Sequence, residues 1–127
     1  MYNAQESFTS RSFTTFYDAF IDCALWSSTD EHGEPLEDTY DATDIDLVCR
    51  DRLKLECQEF YDANYDDLSV HGSWEQGGRD FWLTRNGHGS GFWSRDTGYI
   101  GECLTAAAKV YSSVDFYVGD DGKIYGV

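Results

Sequence analysis

The chain has 127 residues, and 24 acidic side chains against 9 basic ones give it a formal net charge of −15. That balance disfavours direct nucleic-acid binding and docking on an anionic membrane, since both need clustered Lys and Arg. With 41% hydrophobic and 17% aromatic residues the chain has material for a core, so it does not read as an acidic disordered tail throughout.

The opening residues Met1-Tyr2-Asn3-Ala4-Gln5-Glu6 carry no basic and apolar leader pattern, so no signal peptide is expected. No apolar run reaches the roughly 18 residues of a membrane span. Phe13, Phe16, Phe20 and Ala24 recur at helical spacing beside Tyr17, Ile21 and Leu25, which predicts an amphipathic helix over residues 12–27 capped by Ser12. Residues 28–42 contain Gly33 and the only proline, Pro35, and read as an acidic loop. Thr43 followed by Asp46 resembles a capping box. It would open a second helix over residues 44–65, with Ile45, Cys49, Leu53, Cys57 and Phe60 inward and Asp51, Glu59, Asp62 and Asp66 outward.

The second half reads differently. Asp80-Phe81-Trp82-Leu83-Thr84-Arg85 is aromatic and β-prone, and the glycine-rich Asn86–Gly91 would join it in a hairpin to a short strand at Phe92-Trp93. A helix over residues 100–112 follows, with Leu104, Ala107, Ala108 and Tyr111 inward. Val114–Val118 and Lys123–Val127 form a second hairpin around the turn Gly119-Asp120-Asp121-Gly122. The expected fold is α+β, with two to three amphipathic helices packed on a small three- to four-stranded antiparallel sheet. The expected organisation is one domain over residues 1–127, its acidic helical part within about 1–67 and its aromatic, hairpin-rich part within about 68–127.

The charge is concentrated. Residues 18–67 hold sixteen acids and three bases (Arg50, Arg52 and Lys54), a net of −13, whereas residues 1–17 are neutral and residues 68–127 sum to −2. Such blocks are solvated faces or interaction surfaces. The four cysteines, Cys23, Cys49, Cys57 and Cys103, show no metal-ligand spacing. They read as free thiols in a reducing cytosol.

Residues 80–93, Asp80 through Trp93, resemble a motif of small proteins from bacteriophages and other mobile elements. Residues 114–125, Val114 through Tyr125, are similar to the C-terminal end of the same family. The likeness covers about residues 79–126, with Ser94 where the family pattern has Asp. It brings no activity and no catalytic residue with it. It implies a phage-borne accessory protein acting in the cytoplasm of a bacterial host.

Several chemistries compete on these residues. His88, in a glycine-rich loop, could act as a base near neutral pH, paired with Asp80, Asp96 or Arg85. The loop has no dinucleotide fingerprint and equally reads as an ordinary turn. Asp38, Asp41, Asp44 and Asp46 lack the spacing of a calcium loop, and a glycosidase-type carboxylate pair has no cleft to sit in. No metal and no cofactor is expected. Trp82, exposed on one sheet face and accompanied by Trp93 and His88, would mark an adaptor interface.

The acidic block carries the leading expectation. Carboxylates spaced along a loop and a helix can imitate the phosphates of a duplex and occupy a basic groove with fast, steered association. The residues expected to do so are Glu34, Glu37, Asp38, Asp41, Asp44, Asp51, Glu59 and Asp62. The protein would then be a non-enzymatic inhibitor of the anti-CRISPR or anti-restriction type, acting on a host nucleic-acid-binding protein. A homodimer would extend the surface.

Overall fold

The computed structural model describes residues 4–127, and side chains from residue 11 onward. The leader reading of Met1–Glu6 therefore lies outside the described side chains. Five α-helices follow in order among the described residues: α1 (Ala4–Ser27), α2 (Leu47–Ala63), α3 (Tyr65–His71), α4 (Trp74–Arg85) and α5 (Tyr99–Ala108). A two-stranded antiparallel hairpin closes the chain, β1 (Phe116–Val118) with β2 (Ile124–Gly126). None of these helices is long and apolar enough to cross a membrane.

This overturns the expected α+β arrangement on a three- to four-stranded sheet, because residues 80–85 are helical and Phe92–Ser94 is a 3-10 turn. The reason is local. Ser73 stands before α4 with its hydroxyl accepting the Gln76 N–H, and Glu75 lies in the favourable first turn. Once started there, Gly77, Gly78, Phe81 and Arg85 all fall on the buried side at three- and four-residue intervals. Two glycines in that stripe hide its helical period from a search for apolar residues.

The α1 and α4 helices make the most extensive contact in the molecule. Gly78 lets them approach closely, since a Cβ there would collide with the Phe16 carbonyl oxygen of α1 and stand 3.0 Å from the Phe20 nitrogen. Around this crossing the aromatic residues interlock. Phe60 of α2 stacks on Phe81 of α4 with centroids 4.1 Å apart and planes 9° apart, and Phe20 meets Trp82 edge-on at 5.4 Å. The core thus draws on both halves of the sequence, with Leu36, Leu53, Leu68, Phe92, Leu104 and Ile124 completing it.

The α2 helix starts one turn later than expected, capped by Asp46, whose carboxylate accepts the Cys49 N–H. The capping box belongs instead to Asp41 and Asp44, which close a 3-10 turn over Ala42–Asp44: the Asp44 carboxylate accepts the Asp41 N–H, and the Asp41 carboxylate accepts the Thr43 N–H. The buried stripe of α2 is Cys49, Leu53, Cys57, Phe60 and Tyr61, close to expectation.

The predicted C-terminal hairpin forms, shortened to three residues a side. Asp115 and Val127 exchange two backbone hydrogen bonds, and Gly119 donates to Lys123. By the antiparallel alternation, Tyr117 also faces Tyr125, while Phe116 and Val118 aim their N–H and C=O groups away from β2. The outer side of β2 is covered in the same rhythm: the Ile124 carbonyl accepts the Asp46 N–H at 2.8 Å, beside a bridge to Ile45.

All four cysteines are free, and Cys23, Cys49 and Cys57 are buried. Burial pushes the Cys23 thiol up to about 11 and Cys57 well above its ordinary value. A pKa raised on folding gives stability that is intact below the unfolded thiol's pKa and is lost as pH climbs toward the folded value. The urea midpoint should therefore hold up to about pH 8.5 and fall steadily by about pH 10.5. Replacing Cys23 and Cys57 together by Ala should lower the midpoint overall but flatten that decline, and an unchanged slope would refute the assignment.

Candidate functional site

Polar side chains do two different jobs in this molecule. One set is buried and holds the frame together. Asp80 of α4 has no exposed side-chain surface and accepts from four groups. His71 Nε2 of α3 lies 2.9 Å from its Oδ2, and Gln76 Nε2 donates to Oδ1 at 2.9 Å. Arg95, in the segment leading to α5, donates from Nη2 at 2.8 Å and from Nε at 3.0 Å. On its other side the His71 ring places Nδ1 3.0 Å from the Thr97 hydroxyl. One carboxylate thus ties together α3, α4 and the segment before α5.

The rest of α4's end works the same way. The buried Arg85 donates from Nη2 to Glu56 of α2 at 2.7 Å and from Nε to the Ser112 carbonyl at 3.0 Å, with its guanidinium over the rings of Phe81 and Tyr111. Thr84 Oγ1 accepts the Phe92 N–H, and Asn86 Oδ1 accepts the Val114 N–H at 2.8 Å. Trp82 is buried, 2% exposed, and its Nε1–H donates to Ser27 Oγ at 2.7 Å.

These contacts correct two expectations. Trp82 is not on an open sheet face, because the segment is a helix and its ring fills the core; Trp93 alone of the pair is exposed, on the 3-10 turn. His88 does not engage Asp80 or Arg85, whose partners are those above; it is exposed and lines a small cavity of about 280 Å³ with Ser27, Trp82 and Asp115. Among the described residues no three His, Cys, Asp or Glu side chains converge as a metal ion would need.

The second set of polar groups faces outward. Glu34 is exposed in the loop after α1, and Glu37 and Asp38 are exposed on the 3-10 turn Leu36–Asp38. Asp41 is exposed and Asp44 half-buried, both bound into their capping box. The Thr43 hydroxyl, then its N–H, holds the Asp41 carboxyl below the ordinary carboxylate value. Asp30 is held below it in the same manner, by the N–H groups of Glu34 and His32. The expected acids therefore divide. Asp41 and Asp44 shape the loop, whereas Glu34, Glu37 and Asp38 are free to act outward.

On α2 the three expected acids fall in one stripe. Val48, Asp51, Leu55, Glu59 and Asp62 recur at three- and four-residue intervals, and all are exposed. The stripe runs about 21 Å along the helix axis. Its apolar members, Val48 at 77% and Leu55 at 59% exposure, sit between the carboxylates. The helical pattern sets Val48 beside the inward stripe, which its 77% exposure corrects, and it passes over Leu55, because a search for a core stripe does not look at the opposite side.

The cations of the block do not neutralise it. Arg50 donates to the Ala42 carbonyl, Arg52 to the Gly126 carbonyl, and Lys54 lies over the Tyr17 ring at 5.7 Å. Among the described residues, the acids of 18–67 that make an ion pair are Glu31, with His32, and Glu56, with Arg85. Comparisons of the chain with protein-family models, with curated proteins and with solved structures give no match.

Proposed function

We propose that this protein is a binding protein without chemistry of its own, one that lays its acidic face into a Lys/Arg-lined groove where its target holds nucleic acid. The observation that carries this reading is the set of carboxylates of residues 18–67 left without ion pairs while the neighbouring cations are turned to backbone carbonyls and a ring. An acidic surface kept uncompensated costs self-repulsion and speeds association with a positive partner. Val48 and Leu55 within the α2 stripe favour a protein partner, because an apolar centre with a charged surround is how protein interfaces are built. The likeness of residues 80–93 and 114–125 to phage and mobile-element proteins suggests the class of target: a host defence or regulatory protein, inhibited as by an anti-CRISPR or anti-restriction protein.

The test is competition. Host proteins captured on the immobilised chain should be released by short duplex DNA and by salt, because both remove the same phosphate-like attraction. Replacing Glu34, Glu37, Asp38, Asp51, Glu59 and Asp62 by their amides, which leaves the Asp41–Asp44 box intact, should weaken capture by about tenfold or more. A captured target that binds duplex DNA and this protein together would end the mimic reading.

A further inference from the structure

We infer that the open edge of β1 is a docking strand for an extended, Lys/Arg-bearing peptide segment of another protein. This surface is separate from the α2 stripe, and the inference does not rest on the function proposed above.

The backbone supplies the first observation. Phe116 and Val118 aim their N–H and C=O groups away from β2, and among the described residues none bonds to them. On β2 the outward carbonyls are taken, Ile124's by the Asp46 N–H and Gly126's by Arg52, so the hairpin is covered on one side and open on the other. An unpaired strand edge is a template for one more strand.

The second observation is the space beside that edge. The cavity of about 580 Å³ runs along Phe116–Asp120 and is walled opposite by Thr29–His32 and Tyr40. It shares Thr29 and Phe116 with the smaller cavity of about 280 Å³ at His88, so β1 has open space beside it on this side. The edge itself, Phe116–Val118, is about 10 Å long, enough to pair about three residues of an added strand.

The third observation is charge. Asp30, Glu31 and Asp120 line the larger cavity, and Asp115 lines the smaller one. Carboxylates at both ends of an open edge select a strand whose flanking side chains are Lys or Arg, and they repel an acidic one. A second copy of this acidic chain, the other way to complete the edge, meets that repulsion.

The test uses the full chain and a blocked heptapeptide of alternating Lys and Val. Titrated into the isotope-labelled protein, the peptide should shift the amide signals of Phe116 and Val118. Raising salt should weaken it about threefold. N-methylation of every second peptide amide should weaken it about tenfold in at least one of the two registers, since it removes the donors that pair with β1. Neutralising Glu31→Gln with Asp120→Asn, both exposed, should weaken binding of the unmodified peptide without changing the melting temperature. The inference is overturned if both N-methylated registers bind like the parent, if the shifted amides lie on the Asp51–Asp62 stripe, or if β1 is already paired in a dimer of the protein alone.

Discussion

Gly78→Ala should be among the most damaging single changes in the protein, although in an ordinary helix the same exchange stabilises by about 1 kcal/mol. The added Cβ meets backbone, not a side chain. It collides with the Phe16 carbonyl oxygen and stands 3.0 Å from both the Phe16 carbonyl carbon and the Phe20 nitrogen. Backbone in a helix cannot swing aside, so α4 has to retreat from α1 by about 1 Å, which loosens contacts along the whole crossing. The expected loss is about 3 kcal/mol or more. Gly77→Ala is the matched control. Its Cβ would meet the ends of Leu68 and Phe16 side chains at 3.3 to 3.4 Å, which yield by small rotations, so the helix-propensity gain largely offsets the crowding. Thermal unfolding followed by circular dichroism separates the two variants. A Gly78→Ala protein as stable as Gly77→Ala would show that the helices do not meet where the structure places them.

Asp80→Ala should cost a similar amount for a different reason. The substitution leaves Arg95 and the buried His71 without their carboxylate and Gln76 without an acceptor. Removing one member of a buried charge cluster costs about 3–5 kcal/mol, because the remaining groups stay desolvated and unpaired. For a chain of this size the melting temperature should fall by roughly 10–20 °C. His88→Ala is the informative comparison, as His88 is exposed and belongs to no part of this network. It should change stability by less than about 0.5 kcal/mol. Equal effects of the two substitutions would remove Asp80 from the centre of the frame.

The sequence made some of this legible and concealed the rest, and particular residues show why. Phe13, Phe16 and Phe20, like Cys49, Leu53 and Cys57, repeat at helical spacing with bulky or thiol side chains, and both helices form there, but α1 starts at Ala4, so Ser12 lies inside it and does not cap it. The Gly119–Gly122 turn flanked by alternating residues gives the hairpin directly. The 80–85 segment misled because β-prone composition outweighed its start signal, the Ser73-Trp74-Glu75-Gln76 cap lying seven residues upstream. Propensity is a weak prior beside a cap and a buried stripe, and here the stripe was written partly in glycine.

The same misreading hid the role of the 80–93 motif. Read as a hairpin, its polar residues looked available for chemistry. As a helix end, Asp80, Thr84, Arg85 and Asn86 each reach a different segment of the chain, and His88 is left outside. The acids were legible as a charge block but not as individuals. Charge counting cannot tell Asp41, which closes a turn, from Asp51, which is exposed on the outer side of α2.

The division of labour along α2 bears on how such a molecule changes over generations. Its inward stripe and Glu56 are committed to the core and to Arg85, so they are held by the stability of the whole chain. The outward stripe of Val48, Asp51, Leu55, Glu59 and Asp62 is exposed, and among the described residues its one side-chain hydrogen bond is from Gln58 to Asp62. Under the proposed function, replacements there change the grip on a target at little cost to the fold. On that reading a lineage retargets itself through these five positions, one exposed side chain at a time, with the buried stripe of α2 left as it is.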